Sequence, residues 1–206
     1  MNSPDSNSGA PKEGARDARK GGANDSVARS FKLQRTTSRR LALQLLYALE
    51  TNLGWEEPLP ESLDAFLDLI FQEQPHEEDA PADTDLPKLP PALPRALLRK
   101  SWSHSKRLVE GIRQKKDDLD QKISAAAKNW PLSRISLVDR NILRLATYEM
   151  LYAERTVMPG IAINEAVDLA HQFGQKDSWR FVNGVLDSIR KSSVPASCSF
   201  GTPNEQ

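Results

Sequence analysis

Residues 137–152, LVDRNILRLATYEMLY, carry the pattern that decides the fold class. The apolar side chains in this stretch recur every three or four residues and therefore lie on one side of an α-helix. They are Val138, Ile142, Leu145, Tyr148 and Tyr152. No stretch of the sequence alternates apolar and polar residues convincingly, as a half-buried strand does. The sequence therefore predicts an all-α fold.

Similar stripes on both sides of this segment bring the expected number of helices to about seven. Upstream, Thr37 or Ser38 is the predicted N-cap of a first amphipathic helix. Pro94 opens a later helix that is long enough for us to expect a break near residues 101–105. Downstream, two further stripes complete the helical part of the chain.

Charge is strongly segregated along the chain, although its 28 Lys and Arg residues balance its 28 Asp and Glu residues. Residues 12–40 are mostly basic, residues 50–87 contain acidic residues but no Lys or Arg, and residues 88–116 are again basic. Because the local field rather than the net charge decides which partners are attracted, the basic blocks are candidate contacts for a polyanion. Solvated surface is the alternative explanation for each block.

Composition divides the chain into a helical domain, two terminal segments and an insertion. Residues 1–34 are polar and basic and predict a disordered arm, because they cannot bury enough apolar surface to offset the entropy of ordering. Residues 35–191 form the predicted domain, and residues 192–206 form a tail. Residues 74–94 contain six prolines among acidic residues and predict a long acidic loop. This loop either acts as a solubilising insertion or mimics RNA and competes for a basic surface.

The sequence lacks the motifs of catalysis and of metal binding. The single cysteine, Cys198, excludes an internal disulfide, and the three histidines have no neighbours at metal-ligand spacing. Phosphate-cradling glycine loops and a nucleophile elbow are also missing. No run approaches 18 apolar residues, and no signal peptide is recognisable. We therefore expect a cytoplasmic, non-enzymatic protein with no cofactor, no metal and no membrane contact.

Two segments suggest a nucleic-acid surface. Arg39 and Arg40 open the predicted first helix, where cations oppose the helix dipole unless an anion is bound. In residues 173–184, FGQKDSWRFVNG, Trp179 and Phe181 are about 200° apart on a helix, so one ring should be partly exposed. An exposed ring beside a basic residue suits stacking on single-stranded RNA. Packing of that ring on a neighbouring helix is the alternative.

Three segments resemble one family. Residues 40–47, RLALQLLY, resemble the first helix of the NusB family of bacterial transcription antitermination factors, and residues 139–149, DRNILRLATYE, resemble its fifth. Residues 163–187, with INEAVDLA, FG and FVNGVLD in sequence, resemble its C-terminal signature. The resemblance extends over about residues 35–73 and 95–191.

The resemblance implies a fold of two packed three-helix sub-bundles with an extra helix. It also implies binding of single-stranded boxA RNA in ribosomal RNA leader transcripts, together with the ribosomal protein NusE, and assembly with RNA polymerase and other Nus factors. By position, the implied RNA-binding residues are Arg35, Arg39, Arg40, Asp177, Arg180 and Phe181. The implied NusE-facing residues are Tyr47 and Asp139.

Some features depart from the family or leave other functions open. Thr36, Thr37 and Ser38 stand where family members often have arginine, and the basic arm would compensate. Some RNA methyltransferases carry a similar N-terminal domain, but this sequence shows no cofactor loop. A helical protein-interaction module without RNA binding is the main alternative. The sequence does not decide whether free chains form a homodimer.

Overall fold

The computed structural model describes residues 17–72, 94–153 and 157–193, and these ranges contain seven α-helices and no strand. A π-helical turn, Leu49–Leu53, extends the first helix, and a short 3-10 turn, Leu132–Arg134, precedes the fifth. The predicted all-α class is therefore confirmed. The helices are α1 (Asp17–Ala48), α2 (Leu63–Gln72), α3 (Arg95–Gln114), α4 (Lys116–Ala126), α5 (Leu137–Leu151), α6 (Pro159–Phe173) and α7 (Ser178–Ser193).

The helices pack as two groups that share a core. In the first group, α3 packs against α1 and α2, and the rings of Phe66 and Trp102 stack with centroids 5.3 Å apart. In the second group, α5, α6 and α7 pack against one another, and α4 covers α5 and α7. Contacts of α5 with α1 and α3 join the groups. Fully buried side chains at the centre include Leu45, Leu49, Phe66, Ile112, Leu119, Ile123, Ile142 and Leu186.

The first helix begins earlier than predicted. It starts at Asp17, so the N-cap predicted at Thr37 or Ser38 is wrong, and the described part of the arm, residues 17–34, is helical. Thr37 and Ser38 are buried in the middle of α1, where their hydroxyls donate to main-chain carbonyls one turn earlier at 2.8 and 2.9 Å. Serine and threonine hydroxyls can form such hydrogen bonds to the preceding turn inside a helix as well as cap its start. Residues 1–16, 73–93 and 194–206, which include most of the predicted acidic loop and tail, lie outside the described residues.

The break expected near residues 101–105 is also wrong, because α3 is continuous through them to Gln114. Ser101 and Ser105 are buried where α3 crosses α1. The Ser105 hydroxyl donates to the carbonyl of Ser38 at 3.0 Å. The Ser38 hydroxyl shares its single proton between the carbonyl in its own helix and that of Ser101, which is 3.2 Å away. Small polar residues here allow two helix backbones to approach and bond across the crossing.

Gly111 provides a similar close approach, since a Cβ at this position of α3 would overlap the ring of Tyr148 on α5. We expect Gly111→Ala to lower the free energy of unfolding by about 1–3 kcal/mol, the usual cost of overpacking. Urea denaturation measures this change. Gly184→Ala on α7 is the matched control: its Cβ would meet open space, and alanine favours helix by up to about 1 kcal/mol. Equal effects of the two substitutions would contradict the proposed overlap.

Candidate nucleic-acid interface

A groove of about 720 Å³ lies beside the start of α7. Its walls come from the segment between α4 and α5, from the turn between α6 and α7, and from the first turns of α5 and α7. We call it the Trp130–Phe181 groove, after the two rings that line it. The polar and charged side chains that line it include Arg134, Asp139, Arg140, Lys176, Asp177 and Ser178.

A hydrogen bond from the first residue of α7 to α5 fixes the turn that leads into α7. Ser136 caps α5 by accepting the backbone N–H of Asp139 at 3.1 Å. The carboxylate of Asp139 in turn accepts the hydroxyl of Ser178, the first residue of α7, at 3.0 Å. Asp177, just before it, has a φ of 70°, in the left-handed region that non-glycine residues seldom adopt. The start of α7 is therefore anchored to the start of α5, and Asp177 faces the groove.

Two aromatic rings form the apolar part of the groove. Trp130 is 53% exposed, and its ring meets that of Phe181 edge-on, with centroids 6.3 Å apart and planes at 67°. Phe181 is half-buried. Trp130 was not predicted as a site residue, because it lies outside the three segments that resemble the family. Trp130 lies in the segment after α4, and its position between Asn129 and Pro131 is the sequence signal that could have identified it.

Several cations lie near the rings, but not all of them are free to bind a ligand. Arg134 and Lys176 are exposed at the groove. Arg140 is engaged instead, because its guanidinium lies 3.3 Å from the carboxylate of Glu50. The exposed Arg180 lies over the ring of Trp179, 5.0 Å from its centroid, and pairs with Asp177 at 3.2 Å. Of the three residues predicted around α7, Asp177 and Phe181 line the groove. Arg180 does not line it but pairs with Asp177, which does.

The three predicted arginines of α1 have different environments. Arg39 is 5% exposed, and its guanidinium pairs with Glu149 at 2.7 Å and with Glu165 at 3.1 Å. This burial contradicts the expectation that Arg39 lies on a surface open to RNA, and two of its N–H donors are already bound to carboxylates. Arg40 is half-buried, whereas Arg35 is exposed and donates towards the imidazole of His104 at 2.5 Å.

The two predicted partner residues, Tyr47 and Asp139, differ in burial. Tyr47 is half-buried and packs against the core from α1. Asp139 is 7% exposed and holds Ser178 on the inner wall of the groove. Asp139 is therefore mostly buried, and its carboxylate fixes the start of α7.

The α1 arginines and the groove lie near opposite ends of α5. Asp139 stands beside the groove, and Glu149, ten residues later, pairs with Arg39. Ten helical residues span about 15 Å. A ligand that reaches both regions must therefore be extended.

Within the described ranges, no group of three His, Cys, Asp or Glu residues could hold a metal ion. In those same ranges no helix combines the length and apolar character that crossing a membrane demands. The groove thus offers rings, cations and one exposed carboxylate, which are groups suited to binding.

Comparison with known sequences gives a consistent result. A model described as the NusB family matches residues 36–191. A transcription antitermination protein NusB from Trichlorobacter lovleyi is 34% identical over 155 residues, which cover 75% of this chain and 89% of the relative. Its counterpart from Pseudothermotoga lettingae is 51% identical over 89 residues, or 43% of this chain. The chain spans 63% of that second relative's length.

Solved structures show the same fold. The T. maritima NusB structure has a TM-score of 0.55 and 29% identity, and the match covers 79% of this chain and 94% of that one. A crystal structure of antitermination factors NusB and NusE in complex with dsRNA has a TM-score of 0.52 and 23% identity, over 77% of this chain and 97% of that one. The second likeness is a likeness of fold.

These comparisons first define a class: the chain shares its all-helical fold with transcription antitermination proteins. The chain belongs to the NusB family. The family predicted from residues 40–47, 139–149 and 163–187 is thereby confirmed, together with the expectation that the chain is not an enzyme.

Proposed function

We propose that the chain is a transcription antitermination factor that binds single-stranded boxA-type RNA of ribosomal RNA leader transcripts together with NusE. In this proposal it is a non-catalytic adaptor, and the RNA–protein complex joins RNA polymerase and other Nus factors in the bacterial cytoplasm. The observation that carries the proposal is the Trp130–Phe181 groove, where an aromatic pair, exposed at Trp130 and half-buried at Phe181, stands beside the exposed cations Arg134 and Lys176.

Each group in the groove has a distinct role in this proposal. The rings of Trp130 and Phe181 provide faces and edges for unstacked bases, an arrangement that single-stranded RNA permits and a duplex does not. Arg134 and Lys176 neutralise phosphates. The carboxylate of Asp177, positioned by Arg180 at 3.2 Å, accepts hydrogen bonds from base amino groups and gives base preference.

NusE is the proposed protein partner. A neighbour of the same fold has been solved as NusB with NusE and dsRNA, which supports a joint protein and RNA assembly. Tyr47 on α1 is the proposed contact, and Asp139 acts indirectly by holding the start of α7. If NusE and RNA join the chain in one assembly, we expect NusE to strengthen RNA binding.

The proposal predicts salt-dependent binding of single-stranded leader RNA. Fluorescence anisotropy with a labelled boxA-like RNA, with and without NusE, measures the affinity at several salt concentrations. The logarithm of affinity should fall with the logarithm of salt by about 0.7 per neutralised phosphate, or about 1.4 for Arg134 and Lys176 alone. A shuffled RNA of equal length and a duplex serve as controls. A flat salt response, or equal affinity for all three RNAs, would contradict the proposal.

A protein-interaction module without RNA binding is the second candidate. It is favoured by three exposed apolar side chains on the first part of α1, Val27, Phe31 and Leu33, which are 51%, 63% and 50% exposed. Analytical ultracentrifugation of the chain alone and with NusE distinguishes the two. Tight NusE binding or a homodimer, with no effect of RNA, would support the interaction module.

A further inference from the structure

A second cavity, of about 570 Å³, lies between α1, α3 and α5, away from the groove. We call it the α1–α3 cleft. Arg35 of α1 and His104 of α3 meet in it, with the guanidinium Nη1 2.5 Å from the imidazole Nε2. Arg107, one turn further along α3, lines the same cleft, and Tyr148 closes it from α5.

The charges in this cleft are unequally matched. Its two carboxylates are already paired: Glu149 with Arg39 at 2.7 Å, and Glu110 with Arg113 at 3.7 Å. Arg35 contacts the imidazole, and Arg107 contacts the hydroxyl of Ser103 at 3.3 Å. In the part of the chain that the structure describes, neither of these two guanidiniums pairs with a carboxylate.

The pKa of His104 is affected by these positive charges. Burial and the charges of Arg35, Arg107 and Arg39 lower the pKa of its imidazole to about 4. The ring is therefore neutral near pH 7, and its Nε2 accepts the Arg35 N–H while Nδ1 carries the proton. Burial is the largest cause of the lowered pKa, and the remainder comes from the three arginines, whose positive charges also favour a bound anion.

We propose that the α1–α3 cleft binds a phosphate group through Arg35 and Arg107, and that this phosphate belongs to the RNA strand whose bases occupy the Trp130–Phe181 groove. The inference rests on the proposed function and extends it. Planar guanidiniums bind phosphate oxygens through paired N–H donors, and His104 orients one of them. Since the cleft and the groove lie near opposite ends of α5, about 15 Å of extended strand would connect them.

Arg107→Gln in the full chain tests this site, with Lys106→Gln as the matched control. Lys106 is the adjacent cation on α3 but does not line the cleft. We expect Arg107→Gln to weaken binding of a 12-nucleotide boxA-like RNA by about tenfold, as loss of a charge-assisted hydrogen bond does. It should also reduce the salt slope by about 0.7. Lys106→Gln should change both quantities much less.

The imidazole of His104 gives a second, local readout. A bound phosphate offsets the field of the two arginines, so the pKa of His104 measured by NMR should rise when the RNA is added. Separate titration with inorganic phosphate distinguishes a free anion from the RNA backbone as the source. A response to inorganic phosphate but not to RNA would overturn the assignment to RNA.

Failure of the cleft and failure of the proposed function give different results. If the wild-type chain binds RNA and loses affinity when Trp130 is replaced, but Arg107→Gln behaves like Lys106→Gln, the cleft proposal alone is wrong. If the wild-type chain binds neither boxA-like RNA nor the complex of that RNA with NusE, both proposals are wrong.

Discussion

Replacing Arg39 with methionine is expected to lower the free energy of unfolding by about 3–5 kcal/mol, the range measured when one member of a buried ion pair is removed. Its two partners cause this effect. Glu149 is almost fully buried, and Glu165 is partly buried, so both carboxylates would lose the cation that offsets their desolvation. Urea denaturation followed by circular dichroism measures the change. Native RNA affinity in the remaining folded protein would show that Arg39 acts through folding.

Arg40→Met is the control for this experiment, since Arg40 is the adjacent arginine on α1 and no ion pair is seen for it among the described residues. We expect it to cost less than about 1 kcal/mol, as for most changes outside buried networks. A double substitution, Arg39→Met with Glu149→Met, should regain part of the loss because it removes the uncompensated charge as well. Equal unfolding curves for Arg39→Met and Arg40→Met would contradict the structural role of Arg39.

The helical fold could be predicted because its strongest signals are local. The stripe from Val138 to Tyr152 needs only the spacing of apolar residues, and α5 follows it closely. The errors arose where tertiary contacts decide the outcome. Ser101 and Ser105 resemble a helix interruption by residue type, yet they are buried where α3 crosses α1 and bonds to Ser38.

The site was predictable only where a family motif reached it. Asp177 and Phe181 fall in the C-terminal signature, and both line the groove. Arg39 resembled an exposed cation at a helix start, because the glutamates that bury it lie 110 and 126 residues away in sequence. Trp130 was missed for the opposite reason: its contact with Phe181 joins segments that no local pattern connects.

Removing both rings of the groove is expected to produce the largest loss of RNA binding. A base stacked on an aromatic side chain contributes about 1–3 kcal/mol, so Trp130→Ala or Phe181→Ala alone should weaken binding roughly 5- to 150-fold. Because the ring centroids are only 6.3 Å apart, the losses of binding free energy from the two single substitutions should not simply add in the double variant. Anisotropy titrations of the four proteins with one boxA-like RNA complete the double-mutant cycle.

Two further variants separate stacking from a loss of folding or of general apolar surface. Trp130→Phe keeps an aromatic face and should recover most of the affinity that Trp130→Ala loses. Ile161→Ala removes a side chain that is 49% exposed in the first turn of α6, outside the groove, and should leave RNA binding unchanged. The affinities are compared only for folded variants, whose urea midpoints of unfolding differ from that of the wild type by less than about 1 M. Native affinity in a folded Trp130→Ala/Phe181→Ala variant would contradict stacking in the groove, because these two rings are the aromatic side chains that line it.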